Sequence, residues 1–192
     1  MRRGSGSHGR GTGGRGYDAR PELDDVGWTT LLDNLDRIDA RAAERGVVAT
    51  LHPHAGTVVE TSDDLQRVLA GCAVSLCVDT GHLLIGGTDP VTLIRDYVDR
   101  VAHVHLKDVD AALAQQVIAG SVTFTAAVRA GIFCPLGRGD IDIARIVATL
   151  DAHGYGGWYV LEQDVMLDGE PSGDGPIADV ARSIDFLAGL RG

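Results

Sequence analysis

Four short apolar runs in this chain each end in an imidazole or a carboxylate. Val47 to Leu51 leads into His52-Pro53-His54, and Val74 to Val78 leads into Asp79-Thr80-Gly81-His82. Val101 to Leu106 carries His103 and His105 and leads into Lys107-Asp108. Trp158 to Leu161 leads into Glu162-Gln163-Asp164. Asp, Glu and His together make a donor set for a divalent metal, harder than a thiolate site and softer than an all-oxygen one. The chemistry open to such a set is polarisation of a carbonyl and stabilisation of the enolate formed when a neighbouring proton leaves.

Side chains alternate across a strand, so residues two apart share a face. His105 therefore reaches the end of its strand, while His103 sits one layer deeper. Lys107 shares that face and is a candidate acid, base or electrostatic clamp, with a salt bridge to Asp108 or another acid as the alternative. Glu162 ends an apolar strand, where an unpaired carboxylate is costly and a cation is the economical partner. Asp79 is a candidate ligand or an ordinary helix cap. Arg138 and Asp140 lie in a Gly-rich turn that could overhang the site. Glu60 is a candidate of the same weight, or a cap for the helix after it.

The segments between these runs are helical. Trp28 to Arg45 places Leu31, Leu32, Leu35, Ile38 and Ala42 on one face. Thr61-Ser62-Asp63-Asp64 caps a helix ending near Gly71, and Asp89-Pro90 starts another that runs to about Asp99. An insertion from Val109 to Gly139 holds helices near Ala111 to Ile118 and Phe124 to Ala130. Ile141 to His153 is helical, and a terminal helix runs to about Leu190.

Near-continuous apolar strands alternating with helices define an α/β protein with a parallel sheet. Four strand–helix units are present, against eight in a closed TM-like (β/α) ring of ~250 residues, the TIM barrel. The pattern predicts a partial TIM barrel, made of about four C-terminal βα units and entered at the helix before the fifth strand. Such a half leaves unpaired edge strands. It reads as a fragment, as a half that pairs with another, or as an inactive truncated barrel.

The words LHPHAGTVVET, CVDTGHLLIGGTDP, YVDRVAHVHLKDV, LGRGDIDI and GYGGWYVLEQD occur in this order. On them the chain resembles the xylose-isomerase-like TIM-barrel superfamily and, within it, the inosose (2-keto-myo-inositol) dehydratases. The resemblance implies a divalent metal, Mn²⁺ or Co²⁺, held by Asp79, His105 and Glu162. His52 stands where the superfamily usually has a glutamate, and His54 lies two residues on. It also implies that His82 touches substrate. The expected reaction is loss of water from an inosose through an enolate, with Glu162, Lys107 and His82 as catalytic residues. His54, His82, Lys107 and Arg138 are the expected substrate contacts. A sugar isomerase or epimerase of the same superfamily, hydroxypyruvate-isomerase-like, is the alternative. The absent fifth-strand glutamate counts against a two-glutamate epimerase.

Composition sets outer bounds. The net charge is −10 and the sequence pI about 5.0, which argues against nucleic acid or an anionic membrane as main partner. No run approaches the ~20 apolar residues of a membrane span. Cys72, Cys77 and Cys134 form no CxxC pair; core packing explains them, and a reducing cytoplasm fits. The expected partner is a small cyclic polyol or sugar, with a homo-oligomer left open. Residues 1–20 carry five Arg against one Asp and almost no large apolar side chains. They read as a disordered Gly/Arg-rich tail, leaving 21–192 as the barrel domain.

Overall fold

The computed structural model describes residues 20–167, 169–171 and 173–190. Of the tail expected over residues 1–20, all but Arg20 lies outside the described residues.

The first helix, α1 (Asp25–Ala43), begins at Asp24, whose side chain accepts from Gly27 N at 2.8 Å. Its buried residues Trp28 and Leu35 pack with Val59, Val68 and Val74. Ile38, expected on that face, is exposed. The strand expected over Val47 to Leu51 shrinks to β1 (Thr50–Leu51), because pairing with β2 (Ser75–Asp79) begins only at Thr50 opposite Ser75. Val48, ahead of that pairing, is 66% exposed.

Between them, α2 (Ser62–Gly71) starts with a capping box. Thr61 Oγ1 accepts from Asp64 N, and the Asp64 carboxylate accepts from Thr61 N at 2.9 Å. Glu60 is not the cap; its Oε2 accepts from Gly56 N at 2.8 Å.

Asp79 ends β2 and caps α3 (Thr80–Ile85), one of the two roles expected of it. Next come α4 (Pro90–Asp96), which stops short of the expected Asp99, and β3 (Val101–Leu106). The insertion holds β4 (Asp108–Val109), α5 (Ala111–Ile118), α6 (Phe124–Arg129) and β5 (Phe133–Cys134). The two short strands β4 and β5 pair antiparallel, a hairpin not anticipated from sequence. The chain then forms α7 (Ile143–Ala152), β6 (Tyr159–Leu161) and α8 (Gly175–Gly189).

The main sheet has the order β1-β2-β3-β6 and every pair is parallel. Helical crossovers are what parallel neighbours require. Leu76, Val78, Val104 and Leu106 are fully buried in one cluster with Leu83, Ile94, Ile146 and Leu150. The alternate residues Cys77, Asp79 and His105 occupy the opposite face of the sheet. The architecture is the expected partial (β/α) barrel, with half the strands of a closed ring.

Candidate metal centre

Strand register assembles the site. Asp79 lies opposite His105 and Cys77 opposite His103. Leu106 pairs with Leu161, and Glu162 N then donates to Leu106 O at 3.2 Å. Three strand ends are thereby brought level. His105 Nδ1 is 3.6 Å from Asp79 Oδ2 and 3.2 Å from Glu162 Oε1. His52 Nε2, just past β1, is 3.4 Å from the same Asp79 oxygen.

His52 Nε2, Asp79 Oδ2 and His105 Nδ1 are buried, and none is aligned in a hydrogen bond. Their neighbours are ion-pair contacts at 3.2–3.6 Å rather than hydrogen bonds, and buried polar atoms outside any hydrogen bond call for a reason. A divalent ion supplies one. Ligand atoms at about 2.1 Å from one centre lie roughly 3.0–3.4 Å apart; the contacts around Asp79 and His105, 3.2–3.6 Å, are close to that, and His52 approaches the set through Asp79. Asp79, His105 and Glu162 offer ligand atoms that all lie within 4.8 Å of one another. Two imidazoles and two carboxylates fit a metal of borderline character.

The Asp79 carboxylate divides its work. Oδ1 accepts from Gly81 N at 3.0 Å and His82 N at 2.9 Å, capping α3, and Oδ2 faces the imidazoles. The cap and ligand readings of this residue therefore coexist. Burial opposes its charge, yet the imidazoles of His105 and His52, with the ammonium of Lys107, hold it far below the usual carboxylate range. The His105 pKa is raised, chiefly by Asp79, against the opposing effect of burial.

The remainder of Asp79-Thr80-Gly81-His82 organises Lys107. Thr80 Oγ1 donates to Lys107 O at 2.6 Å and accepts from Lys107 N at 2.9 Å. A Cβ on Gly81 would stand 2.7 Å from Lys107 Cβ, so α3 can lie against the end of β3 only with glycine there. His82 Nε2 is 2.9 Å from Lys107 Nζ. Lys107 is 1% exposed. Its Nζ also lies 2.9 Å from Glu162 Oε2, 3.1 Å from Asp164 Oδ2 and 3.2 Å from Asp79 Oδ2. Burial works against the ammonium, but these carboxylates outweigh it and the Lys107 pKa is raised. An ammonium only donates. His82 therefore accepts at Nε2 and carries its proton on Nδ1, a buried atom with no hydrogen-bond partner. Burial pushes the His82 pKa down to about 3, against the pull of Asp79, so the ring is neutral.

His54 stacks on His82, ring centroids 3.5 Å apart. Its Nδ1 donates to Ala55 O at 2.8 Å, since a carbonyl only accepts. His103 lies behind His105, ring centroids 5.2 Å apart. The structure does not pair Lys107 with Asp108. The Asp108 carboxylate turns away and accepts from the backbone N–H of Val109, Gly137, Gly139 and Ile141 at 2.9–3.1 Å. It thereby pins the Gly-rich turn. A Cβ on Gly139 would meet Asp108 Oδ1 at 2.4 Å. Arg138, on that turn, is exposed, and no ion pair or hydrogen bond ties it to the cluster among the described residues. Asp110 caps α5, and Asp140 adds to the cap by accepting from Ala111 N at 2.8 Å. Residues that sequence reasoning missed are Asp164 and Cys77. Both were signalled by spacing: Asp164 lies two residues past Glu162, and Cys77 two before Asp79.

A parallel sheet that delivers metal donors at successive strand C-termini is the design of a barrel enzyme. The chain belongs to the xylose isomerase-like TIM barrel family, whose model matches residues 7–190. Among curated relatives it is 37% identical over 151 residues to the inosose dehydratase of Geobacillus thermodenitrificans (strain NG80-2), covering 77% of this chain and 51% of the relative. It is 36% identical to the inosose dehydratase of Lacticaseibacillus casei over the same shares. The chain thus spans about half the length of the curated relatives it matches. A solved xylose isomerase domain protein from Planctomyces limnophilus superposes with a TM-score of 0.64 at 21% identity, over 89% of this chain and 56% of that one. An L-ribulose 3-epimerase gives 0.62 at 17% identity, over 90% and 56%. These likenesses in three dimensions speak for the fold. No helix among the described residues is long and apolar enough to cross a membrane.

Proposed function

We propose that this chain carries the metal-binding face of a carbon–oxygen lyase that removes water from an inosose or a related cyclic polyol ketone. The observation that supports it most is the convergence of Asp79, His105, Glu162 and His52 at four adjacent strand ends. The inosose dehydratase relatives point to the substrate class.

In this reading those four residues hold Mn²⁺ or Co²⁺. The bound ion supplies a Lewis acid for the ketone oxygen and for the enolate charge. Glu162, partly exposed beside the site, takes the proton from the carbon next to the ketone. Lys107, whose raised pKa keeps it an ammonium, is a fixed positive charge rather than a base, and steadies the developing negative charge. The neutral His82 orients a substrate hydroxyl through Nδ1–H. The proton that Glu162 takes from carbon is handed on to the departing hydroxyl, so water leaves with no net change of protons, and His54, stacked on His82, is a substrate contact. Epimerisation between two glutamates is less well served, because Glu162 is the one glutamate in the cluster.

The test is an assay with Mn²⁺ and scyllo-inosose, on this chain alone and on a full-length barrel carrying it. Diketone formation that needs the ion supports the reading. Interconversion of a ketose and an aldose, with inosose untouched, would replace the lyase with the isomerase alternative. Ion binding without turnover in either form would leave the inactive-barrel reading.

A further inference from the structure

The candidate site has two tiers. Asp79 and Cys77 are two residues apart on β2 and share its face, with Cys77 one step further from the strand's C-terminal end. His52, Cys77 and His105 offer ligand atoms that all lie within 4.8 Å of one another. Two of these three residues also flank Asp79 above. Cys77 is buried with a free thiol. The upper tier is rich in oxygen, and the lower presents one sulfur and two nitrogens. Thiolate with imidazole selects soft and borderline ions, while carboxylates favour harder ones.

We propose that Cys77, His52 and His105 form a second, thiophilic metal position in the floor of the site. It takes Cd²⁺ or Zn²⁺ and shares His52 and His105 with the upper set, so the two positions exclude one another. The metal–sulfur bond forms as the thiol proton leaves to solvent, and no oxidant or reductant is involved. The consequence is a built-in sensitivity: a soft ion would draw His52 and His105 downward and empty the oxygen-rich tier. The inference draws on His52 and His105, which the catalytic reading also uses, but not on Glu162 or Lys107.

The test is a titration of metal-free protein with Cd²⁺, read by the ultraviolet charge-transfer absorption of a cadmium–thiolate bond. Wild type, and a variant carrying both Cys72→Ser and Cys134→Ser, should show the band saturating at one ion per chain. Cys77→Ser, checked for fold by circular dichroism, should lose it. His52→Ala keeps the thiol and should weaken Cd²⁺ by at least about 10-fold, so a misfolded Cys77 variant does not block the test. Glu162→Gln should keep the band, which separates failure here from failure of the catalytic reading. Excess Mn²⁺ should suppress the band in wild type. A band that survives Cys77→Ser, no band in wild type, or Cd²⁺ affinity unmoved by His52→Ala would overturn the proposal.

Discussion

Lys107 Nζ and His82 Nε2 lie 2.9 Å apart, and both side chains are buried. The contact settles the imidazole's tautomer. It also makes His82 a group that the fold holds neutral where an unfolded chain would protonate it. Below the unfolded value of about 6.5, the unfolded state therefore binds a proton that the native state refuses until about pH 3. Stability falls as pH drops through that window. His105 works the other way: its raised pKa contributes stability that is full below about 6.5 and is lost as pH rises through its folded value. Asp79 contributes stability above about 3.8 that is lost on further acidification. The His82 shift should dominate between pH 6 and 4. Urea unfolding of metal-free protein should show a midpoint that falls steadily across this range, and His82→Gln should flatten it. Equal slopes in the two proteins would contradict a His82 held neutral by the fold.

The two jobs of Asp79 can be separated. Asp79→Asn keeps an oxygen to cap α3, and Asn is a good cap. It loses the charge facing His52 and His105. Calorimetry should show Mn²⁺ affinity down by at least about 100-fold with the fold intact. Asp79→Ala should lose the same affinity and a further ~1 kcal/mol of stability from the missing cap.

Asp108 should matter for stability rather than chemistry. Its carboxylate satisfies four backbone N–H groups in and around the 137–141 turn. Asp108→Ala strands those donors, and each unsatisfied buried group costs about 1–3 kcal/mol. Denaturant unfolding should show a loss of at least about 3 kcal/mol. Mn²⁺ affinity of the folded fraction should stay near wild type.

Lys107→Met removes the ammonium between Asp79, Glu162 and Asp164. In an active full-length form kcat should fall by about 10²–10³, the size of one lost electrostatic donor. Mn²⁺ should bind as well or better, because a competing cation is gone. An unchanged kcat would return Lys107 to a purely structural role.

Much of this was legible in the chain, for identifiable reasons. Four short, near-continuous apolar runs revealed the strands, and each strand end carried a polar residue that apolar packing cannot explain. Thr61 with Asp64, and Asp89 before Pro90, announced their helices through capping chemistry. What stayed hidden depended on register or on a third dimension. Nothing local says that Val47 and Val48 precede the ladder, because the partner's start at Ser75 decides it. Lys107 and Asp108 are sequence neighbours, but strand alternation sends one into the site and the other beneath the Gly-rich turn. Cys77 reads as a core residue until β1 and β3 bring His52 and His105 beside it.

The central claim is that Asp79, His105 and Glu162, with His52, hold one divalent ion. Crystals grown with Mn²⁺ and measured at the manganese absorption edge test it most directly. One anomalous peak is expected, ~2.0–2.3 Å from an oxygen of Asp79, an oxygen of Glu162 and a ring nitrogen of each histidine. No peak there at full Mn²⁺ occupancy elsewhere, or a peak with Lys107 still bridging Asp79 and Glu162 and no ligand contact from either, would contradict it.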